Sequence, residues 1–268
     1  MKKVVAKILG GILALTSICS IGAMSACSDK KTITVGYTDY APMNYEDENG
    51  ELVGFDTELA KQVFGDLGYT VRFKLIEWSN KYMELDSGTI DCVWNGFTAN
   101  CADDDGIQRA DKVDFSYYYM TNAQCILRLD TATDVSEKSQ FSGMTVAYEA
   151  SSAAEGFVSD ITGANLKPVT SQMDAIRELN AGTAQYAVVD LLLAKSIAGK
   201  GDFSKVVLNE GIEIAAEYYA IGFKKGSDLT AKVNEKLVAY AGDGSLAALA
   251  EKYGLSNQVI TDYADQVK

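Results

Sequence analysis

Residues 91–116 read DCVWNGFTANCADDDGIQRADKVDFS, and the fold follows from where this stretch breaks and resumes. It opens on an apolar strand pattern, breaks at Gly96 beside the hydroxyl of Thr98, and returns through a lone Arg109 to a second short strand ending at Phe115. Where strands end on a cleft, such a sequence turns backbone N–H groups, a hydroxyl and a guanidinium toward one small acidic group. A carboxylate is the guest that this set of donors suits.

Upstream, Thr32 to Tyr37 alternates as a first strand, and GFD at 54–56 starts a helix with Asp56 as N-cap and Leu59, Ala60, Val63 and Phe64 on its buried face. Thr70 to Ile76 reads as a second strand, Asn80 to Leu85 as a short helix before Gly88, and Ile90 to Trp94 as a third strand, with Trp94 in the core. Downstream the pattern restarts. Thr121 to Leu129 is an extended connector, followed by strands at 144–147, 166–169, 186–189 and 206–208 and helices at 152–160, 171–180 and 191–197. A second extended segment at 213–223 leads to two closing helices, 229–241 and 245–252. Strands alternating with helices at this spacing give α/β units with mostly parallel sheets covered on both faces. Two such units joined by extended crossovers near Thr121 and Tyr218 make a two-lobed molecule, and ligands of such sheets bind beyond the carboxyl ends of the strands.

The first 26 residues read as an address rather than as part of the fold. Lys2, Lys3 and Lys7 form a basic n-region, Ile8 to Ile21 an apolar h-region, and small residues precede Cys27. Ending on cysteine, the segment resembles a bacterial lipoprotein signal, with Met24 where leucine is usual, so that Cys27 carries the lipid and residues 27–31 form a tether. An uncleaved anchor fits less well, because the apolar run falls short of a span of about 20 residues. Losing these 26 of 268 residues removes three lysines and no acid, which leaves 21 basic against 37 acidic side chains, a formal charge of −16. That surface speaks against nucleic acid and against holding anionic lipid through basic patches, so Cys27 is the expected membrane contact. The absence of histidine excludes His-based triads and the commonest zinc ligand. Cys92, Cys101 and Cys125 allow one disulfide and one leftover thiol, with no pairing readable from spacing; Cys92, within a strand, reads as a small core residue.

The series GFDTELA, SGTIDCVWNGFT, RADKVDFS, MTVAYEASSAAEGF, AGTAQYAVVD and GSLAALAEKYG, in this order and spacing from Thr32 to Gly254, resembles the family 3 extracellular solute-binding proteins that feed polar amino acids to ABC importers. The resemblance implies a periplasmic-binding-protein-like clam of type II with a two-strand hinge. One lobe would be built from 32–121 and 218–268 and the other from 122–217. It further implies a monomeric, lipid-anchored receptor on the outer face of the membrane or in the periplasm, which hands a free amino acid to a permease. No cofactor or metal is implied, since Asp103-Asp104-Asp105-Gly106 lacks the alternating acids of a calcium loop and reads as a solvated charge run.

The same resemblance assigns roles to residues. Arg109 grips the α-carboxylate, its fork of donors matching two oxygens, although ANCADDDGIQ lengthens the loop before it and must fold back. Main chain near Asn95 and Gly96 accepts from the ammonium, and Thr98 donates to the carboxylate. Ser152 begins a second-lobe helix, where it serves as ligand contact, N-cap or both. Ala153 stands where relatives have threonine. Asp190 binds the ammonium, although by sequence alone it is an equally good N-cap for the helix that follows. Tyr40 and Trp78 sandwich the ligand side chain, with core packing as the bland reading. Glu149 sits beside the guest and is the lone acid expected there apart from Asp190, which favours an uncharged polar amino acid over arginine or lysine and places glutamate last. The alternative function is an enzyme on the same clam, a periplasmic dehydratase with Glu149 as general acid.

Overall fold

The structure is a computed structural model that describes residues 31–266. The expected signal, Cys27 and most of the tether lie outside these residues. The chain begins with β1 (Thr32–Tyr37), a small hairpin of β2 (Tyr45–Glu46) and β3 (Leu52–Val53), α1 (Phe55–Asp66), β4 (Thr70–Leu75), α2 (Lys81–Ser87), β5 (Cys92–Val93), α3 (Arg109–Lys112) and β6 (Asp114–Phe115). It continues through β7 (Met120–Leu129), β8 (Thr145–Glu149), α4 (Ala154–Val158), β9 (Asn165–Val169), α5 (Gln172–Asn180), β10 (Tyr186–Asp190), α6 (Leu191–Ile197) and β11 (Val206–Asn209). After β12 (Ala216–Tyr219) and β13 (Gly222–Phe223), α7 (Leu229–Asp243) and α8 (Ser245–Lys252) follow.

Two five-strand paths result. The first sheet runs β4-β1-β5-β13-β6 and the second β11-β7-β10-β8-β9, with β12 paired to β7 off that path. In each, one strand opposes the rest: β13 is antiparallel to both neighbours in the first, and β7 in the second. The expected two-lobed α/β fold is therefore present. Near-continuous apolar strands such as YAVVD in β10, buried at all five positions, are what a sheet covered on both faces requires. Helix α1 covers the first sheet with Leu59 and Val63, and α7 and α8 pack against α1 with Leu237 and Leu246, while α5 and α6 cover the second with Ile176, Leu179 and Leu193. Full burial of each such side chain is worth about 1.5–3 kcal/mol. Among the described residues, no helix is long and apolar enough to cross a membrane.

Three expectations change. The segment 121–129 is not merely a connector: β7 is an internal strand of the second sheet, paired with β10 and β11 through its later half and with β12 through its start, where Thr121 faces Tyr218. Crossovers and sheet strands share one extended backbone, so alternation does not separate them. The helix expected from Ser152 spans only Ala154–Val158, with glycine at its centre. Asp56 is not the cap of α1. Gly54 takes that place at φ 122°, and Asp56, fully buried, accepts from the Gly96 N–H and the Tyr119 hydroxyl, both on Oδ2 at 2.9 Å. Burial pushes its carboxyl up to about 7 against these two donors.

Gly54 ties the hairpin to α1 with no room for a side chain, because a Cβ there would stand 2.2 Å from the Met43 carbonyl oxygen. Gly54→Ala therefore forces a left-handed, crowded backbone and is expected to lower the unfolding free energy by at least about 2 kcal/mol in chemical denaturation. A change below about 0.5 kcal/mol would contradict this.

Candidate functional site

The site grows from strand ends. β5 breaks at Asn95, whose amide is tied on both sides: its Oδ1 accepts from the Thr38 hydroxyl at 2.6 Å, and its Nδ2 donates to the Thr38 carbonyl and to Asn44 Oδ1. That clamp fixes Gly96 at φ 56° under the rings of Tyr40 and Tyr219, where a Cβ would meet Tyr40 at 2.6 Å. The inserted loop before Arg109 does fold back. Ala102 bridges Gln108, the Asp103 N–H donates to the Ile107 carbonyl, and the Arg109 N–H reaches the Cys101 carbonyl at 3.1 Å. The insertion is thus a small hairpin whose end delivers Arg109 to the interior, 1% exposed.

The acid run inside that hairpin is only partly solvated. Asp104 and Asp105 are exposed, but the Asp103 carboxylate is 3% exposed and accepts from Arg109 Nε at 2.7 Å, Lys112 Nζ at 2.8 Å and the Tyr82 hydroxyl at 2.6 Å. Burial alone would raise its pKa; the Arg109 and Lys112 cations and the Tyr82 hydroxyl outweigh it and hold the carboxyl at about 2. Arg109 spends two further donors on carbonyls, Thr98 and Ser151, each at 3.1 Å.

From the second sheet, β8 ends in Glu149 and β10 in Asp190, both buried. Asp190 occupies the cap position of α6 without a side-chain capping bond. Its carboxylate instead accepts from Gln124, from Gln172 at 3.0 Å and from the Tyr219 hydroxyl at 2.9 Å. Burial raises its pKa against these donors. Glu149 Oε1 has no hydrogen-bond partner, and burial with the nearby Asp190 charge pushes its carboxyl up to about 8. Between these ends, Ser151 holds φ 58°, a left-handed conformation uncommon for serine.

Eight of the nine residues expected at the site border one pocket: Trp78, Asn95, Gly96, Thr98, Arg109, Glu149, Ser152 and Asp190, together with Ala153 and Gln172. Tyr40 does not. Its hydroxyl meets that of Tyr219 at 2.6 Å, so it reaches the site through the chain Tyr40–Tyr219–Asp190 and through its ring, which lies against Gly96. Trp78 packs edge-on against Phe97, so no aromatic sandwich of Tyr40 and Trp78 forms around the pocket. The Thr98 hydroxyl donates to Glu217 at 3.1 Å, and Ser152 Oγ accepts from the Ala154 N–H at 3.3 Å. The pocket's free volume is about 10 Å³, room for about one water.

Glu149 is not the lone further acid. Glu217, missed in the sequence, is buried on β12 and bonded to Thr98, Asn122 and Gln124; burial and the Asp190 charge push it up to about 7. In the structure AEYY alternates exposed and buried with glutamate inward, a placement that its charge gave no sign of in the sequence. Gln172 and Lys81 were also missed; each opens a helix, where polar residues ordinarily face solvent. Cys92, Cys101 and Cys125 are all unpaired thiols.

Residues 33–256 match the bacterial extracellular solute-binding proteins, family 3. The chain is 26% identical over 250 residues to the L-cystine-binding protein TcyJ of Escherichia coli (strain K12), covering 90% of this chain and 89% of that protein. It is 26% identical over 255 residues to the arginine-binding extracellular protein ArtP of Bacillus subtilis (strain 168), covering 90% and 96%. Among solved structures, an ancestral arginine-binding protein, with arginine or with glutamine bound, superposes with a TM-score of 0.75 at 29% identity over 83% of this chain and 97% of that one. The matched family and these relatives are binding proteins, which favours the binding reading over the dehydratase alternative.

The buried Arg109–Asp103 pair yields a test. Asp103→Ala leaves a buried guanidinium without its carboxylate and is expected to cost about 3–5 kcal/mol at neutral pH. Because the folded-state pKa of Asp103 is depressed, its contribution is present above the unfolded value of 3.8 and is lost as pH falls toward about 2. The gap between wild type and variant, read by denaturation, should therefore narrow from pH 4 downward; a gap independent of pH would contradict the ion-pair account.

Proposed function

The chain belongs to the bacterial extracellular solute-binding proteins, family 3, and from that premise we propose that it captures a free amino acid between its lobes and delivers it to the permease of an ABC importer. The observation that carries this reading is the opposition of charge across one pocket: Arg109 enters from the first sheet's loops and Asp190 from the end of β10. A zwitterion fits that opposition, with its carboxylate toward Arg109 and Thr98 and its ammonium toward Asp190 and the main chain near Asn95 and Gly96. Ser152, Glu149 and Trp78 complete the wall. Tyr40 acts from behind, through Tyr219 and against Gly96. Such charged hydrogen bonds replace the water that a zwitterion gives up on entering.

For the guest's side chain, the spare Glu149 oxygen is a buried acceptor seeking a donor. With Glu149, Asp190 and Glu217 already gathered there, a fourth carboxylate from the ligand would be repelled. A polar uncharged or cationic amino acid is thus favoured over glutamate or aspartate. Relatives named for L-cystine and arginine, and an ancestral neighbour with arginine or glutamine bound, support this range. Lobes built from 32–121 with 218–268 and from 122–217 would close on the guest about the paired β7 and β12. The n-region, h-region and Cys27 pattern supports lipid anchoring outside the cell.

A thermal-shift screen of the common amino acids and L-cystine tests the ligand class. A binder at 100 times its Kd adds about 2.7 kcal/mol, and polar uncharged or cationic members are expected to shift the transition while glutamate does not. Asp190→Ala should weaken the best of them by about 1.5 to 3.5 decades in calorimetry, the roughly 2–5 kcal/mol of a ligand ammonium left unpaired; a loss below threefold would remove Asp190 from the site. For the anchor, a palmitate analogue should label the wild type and not Cys27→Ser, and equal labelling of both would contradict it.

A further inference from the structure

Lys81 is fully buried, at the start of α2, and it takes part in none of the salt bridges among the described residues. Its ammonium lies 5.0 Å from the ring centre of Trp78, 4.6 Å from that of Tyr82 and 6.0 Å from that of Phe97. Its hydrogen bonds go to two carbonyls, a long one to Trp78 at 3.5 Å and a good one to Ser151 at 3.0 Å. A buried cation without a carboxylate is costly, and nothing in the fold needs one here, where an apolar side chain of similar length would pack among the same rings.

The second cation at this corner is Arg109, which donates to the same Ser151 oxygen at 3.1 Å. The two nitrogens therefore lie no more than 6.1 Å apart, the sum of 3.0 and 3.1 Å. Their charges are not equally balanced. Arg109 is neutralised by Asp103, and Lys112 is shared between Asp103 and Asp105. Lys81 remains the uncompensated cation, and the group that holds it is a neutral carbonyl on a residue kept at φ 58°. An oxygen gripped by two converging cations occupies the position a carboxylate would take.

On the reading that the guest is a free amino acid, we propose that Lys81 is the second cation of the carboxylate site, and that the guest's α-carboxylate replaces the Ser151 carbonyl between Lys81 and Arg109. Lys81 does not border the pocket in the present arrangement, where Ser151 holds it. Withdrawal of Ser151 as the lobes part frees both cations for the incoming anion. Charge then closes on both sides: the ligand carboxylate balances Lys81, and the ligand ammonium balances Asp190.

Burial, with Arg109 adding to it and Asp103 and Glu149 opposing, pushes the Lys81 ammonium down to about 7. Its charge is therefore present below about pH 7 and withdrawn above it, so its share of carboxylate affinity falls as pH rises through that value. Glu149 on β8, at about 8, and Glu217 on β12, at about 7, titrate in the same window, while Asp103 and the Arg109 and Lys112 cations of α3 stay charged throughout. The difference between wild type and variant, rather than either profile, isolates Lys81.

The test titrates L-arginine, L-glutamine and L-cystine into wild type, Lys81→Met and Lys81→Gln at pH 6 and pH 9, with melting of each protein recorded first. Both variants are expected to fold, Lys81→Met with a transition no lower than wild type because a buried charge has gone. Each should bind the preferred amino acid at least tenfold more weakly at pH 6, with the ratio to wild type shrinking toward one at pH 9. Lys81→Gln retains a donor for Ser151 but no charge, so binding within threefold of wild type at pH 6 would overturn the proposal, as would an equal loss at both pH values. Binding of none of the three by wild type would overturn the amino-acid reading together with this one, whereas wild-type binding unaffected by either substitution overturns this one alone.

Discussion

The ion pair of Arg109 with Asp103 is the interaction on which the site depends. A guanidinium 1% exposed has lost its hydration, and only charged and carbonyl oxygens at close range make that tolerable. Asp103 supplies the charge, and it can do so only because the inserted hairpin returns the chain within six residues to the same corner. Lys112 and the Tyr82 hydroxyl then fix the carboxylate from its other side. The insertion that lengthens the loop is thus what holds its arginine, and the three acids of the hairpin divide into one internal counter-ion and two surface charges.

Across the pocket the opposite problem arises. Asp190, Glu149 and Glu217 converge from three strands of one sheet; burial drives all three toward the protonated form, and at Glu149 and Glu217 the Asp190 charge adds to it. Their treatment differs. Asp190 and Glu217 share Gln124 and are otherwise tied to Gln172, Tyr219, Asn122 and Thr98, so donors offset part of their desolvation. Glu149 keeps one oxygen without any. A ligand ammonium or side-chain donor thus meets an acid already neutral or one in need of a partner, and either way arrives without displacing a protein hydrogen bond at Glu149.

Much of this was legible in the sequence, for a definable reason. Asn95, Gly96 and Asp190 stand where a continuous apolar run stops, and in parallel sheets such ends collect on one rim. Arg109 was legible as the lone arginine between two strand patterns. Tyr40 failed because the same signal, an aromatic after a strand, serves a pocket wall or a second layer behind it; the neighbour that decides, Tyr219, is 179 residues away. Asp103, Lys81 and Glu217 failed in the opposite direction. Each is a charged residue in a position that local pattern assigns to solvent, and each is buried only because distant segments close over it. Residues that break the local rule cluster at the site, which is where burial of charge has a use.

The same burial shapes how the lobes come together. The bonds that hold Ser151 to Lys81 and Arg109, and Tyr219 to Asp190, are polar and can be exchanged for water at little net cost. The apolar contacts along β7 and β12 are continuous with the core and do not run through the pocket's polar bonds. Parting the pocket about those strands therefore sacrifices little cohesion while rehydrating Lys81, Arg109 and the three acids. Closing it reverses that gain, because each charge must again be desolvated. A zwitterion changes the balance by bringing a carboxylate to the cationic corner and an ammonium to the acidic rim in one rigid unit, so that desolvation on each side is met by an opposite charge. On the proposed reading, closure is most favourable around a guest whose two charges match the separation of those two corners, and the α-amino acid head would be selected before its side chain is read.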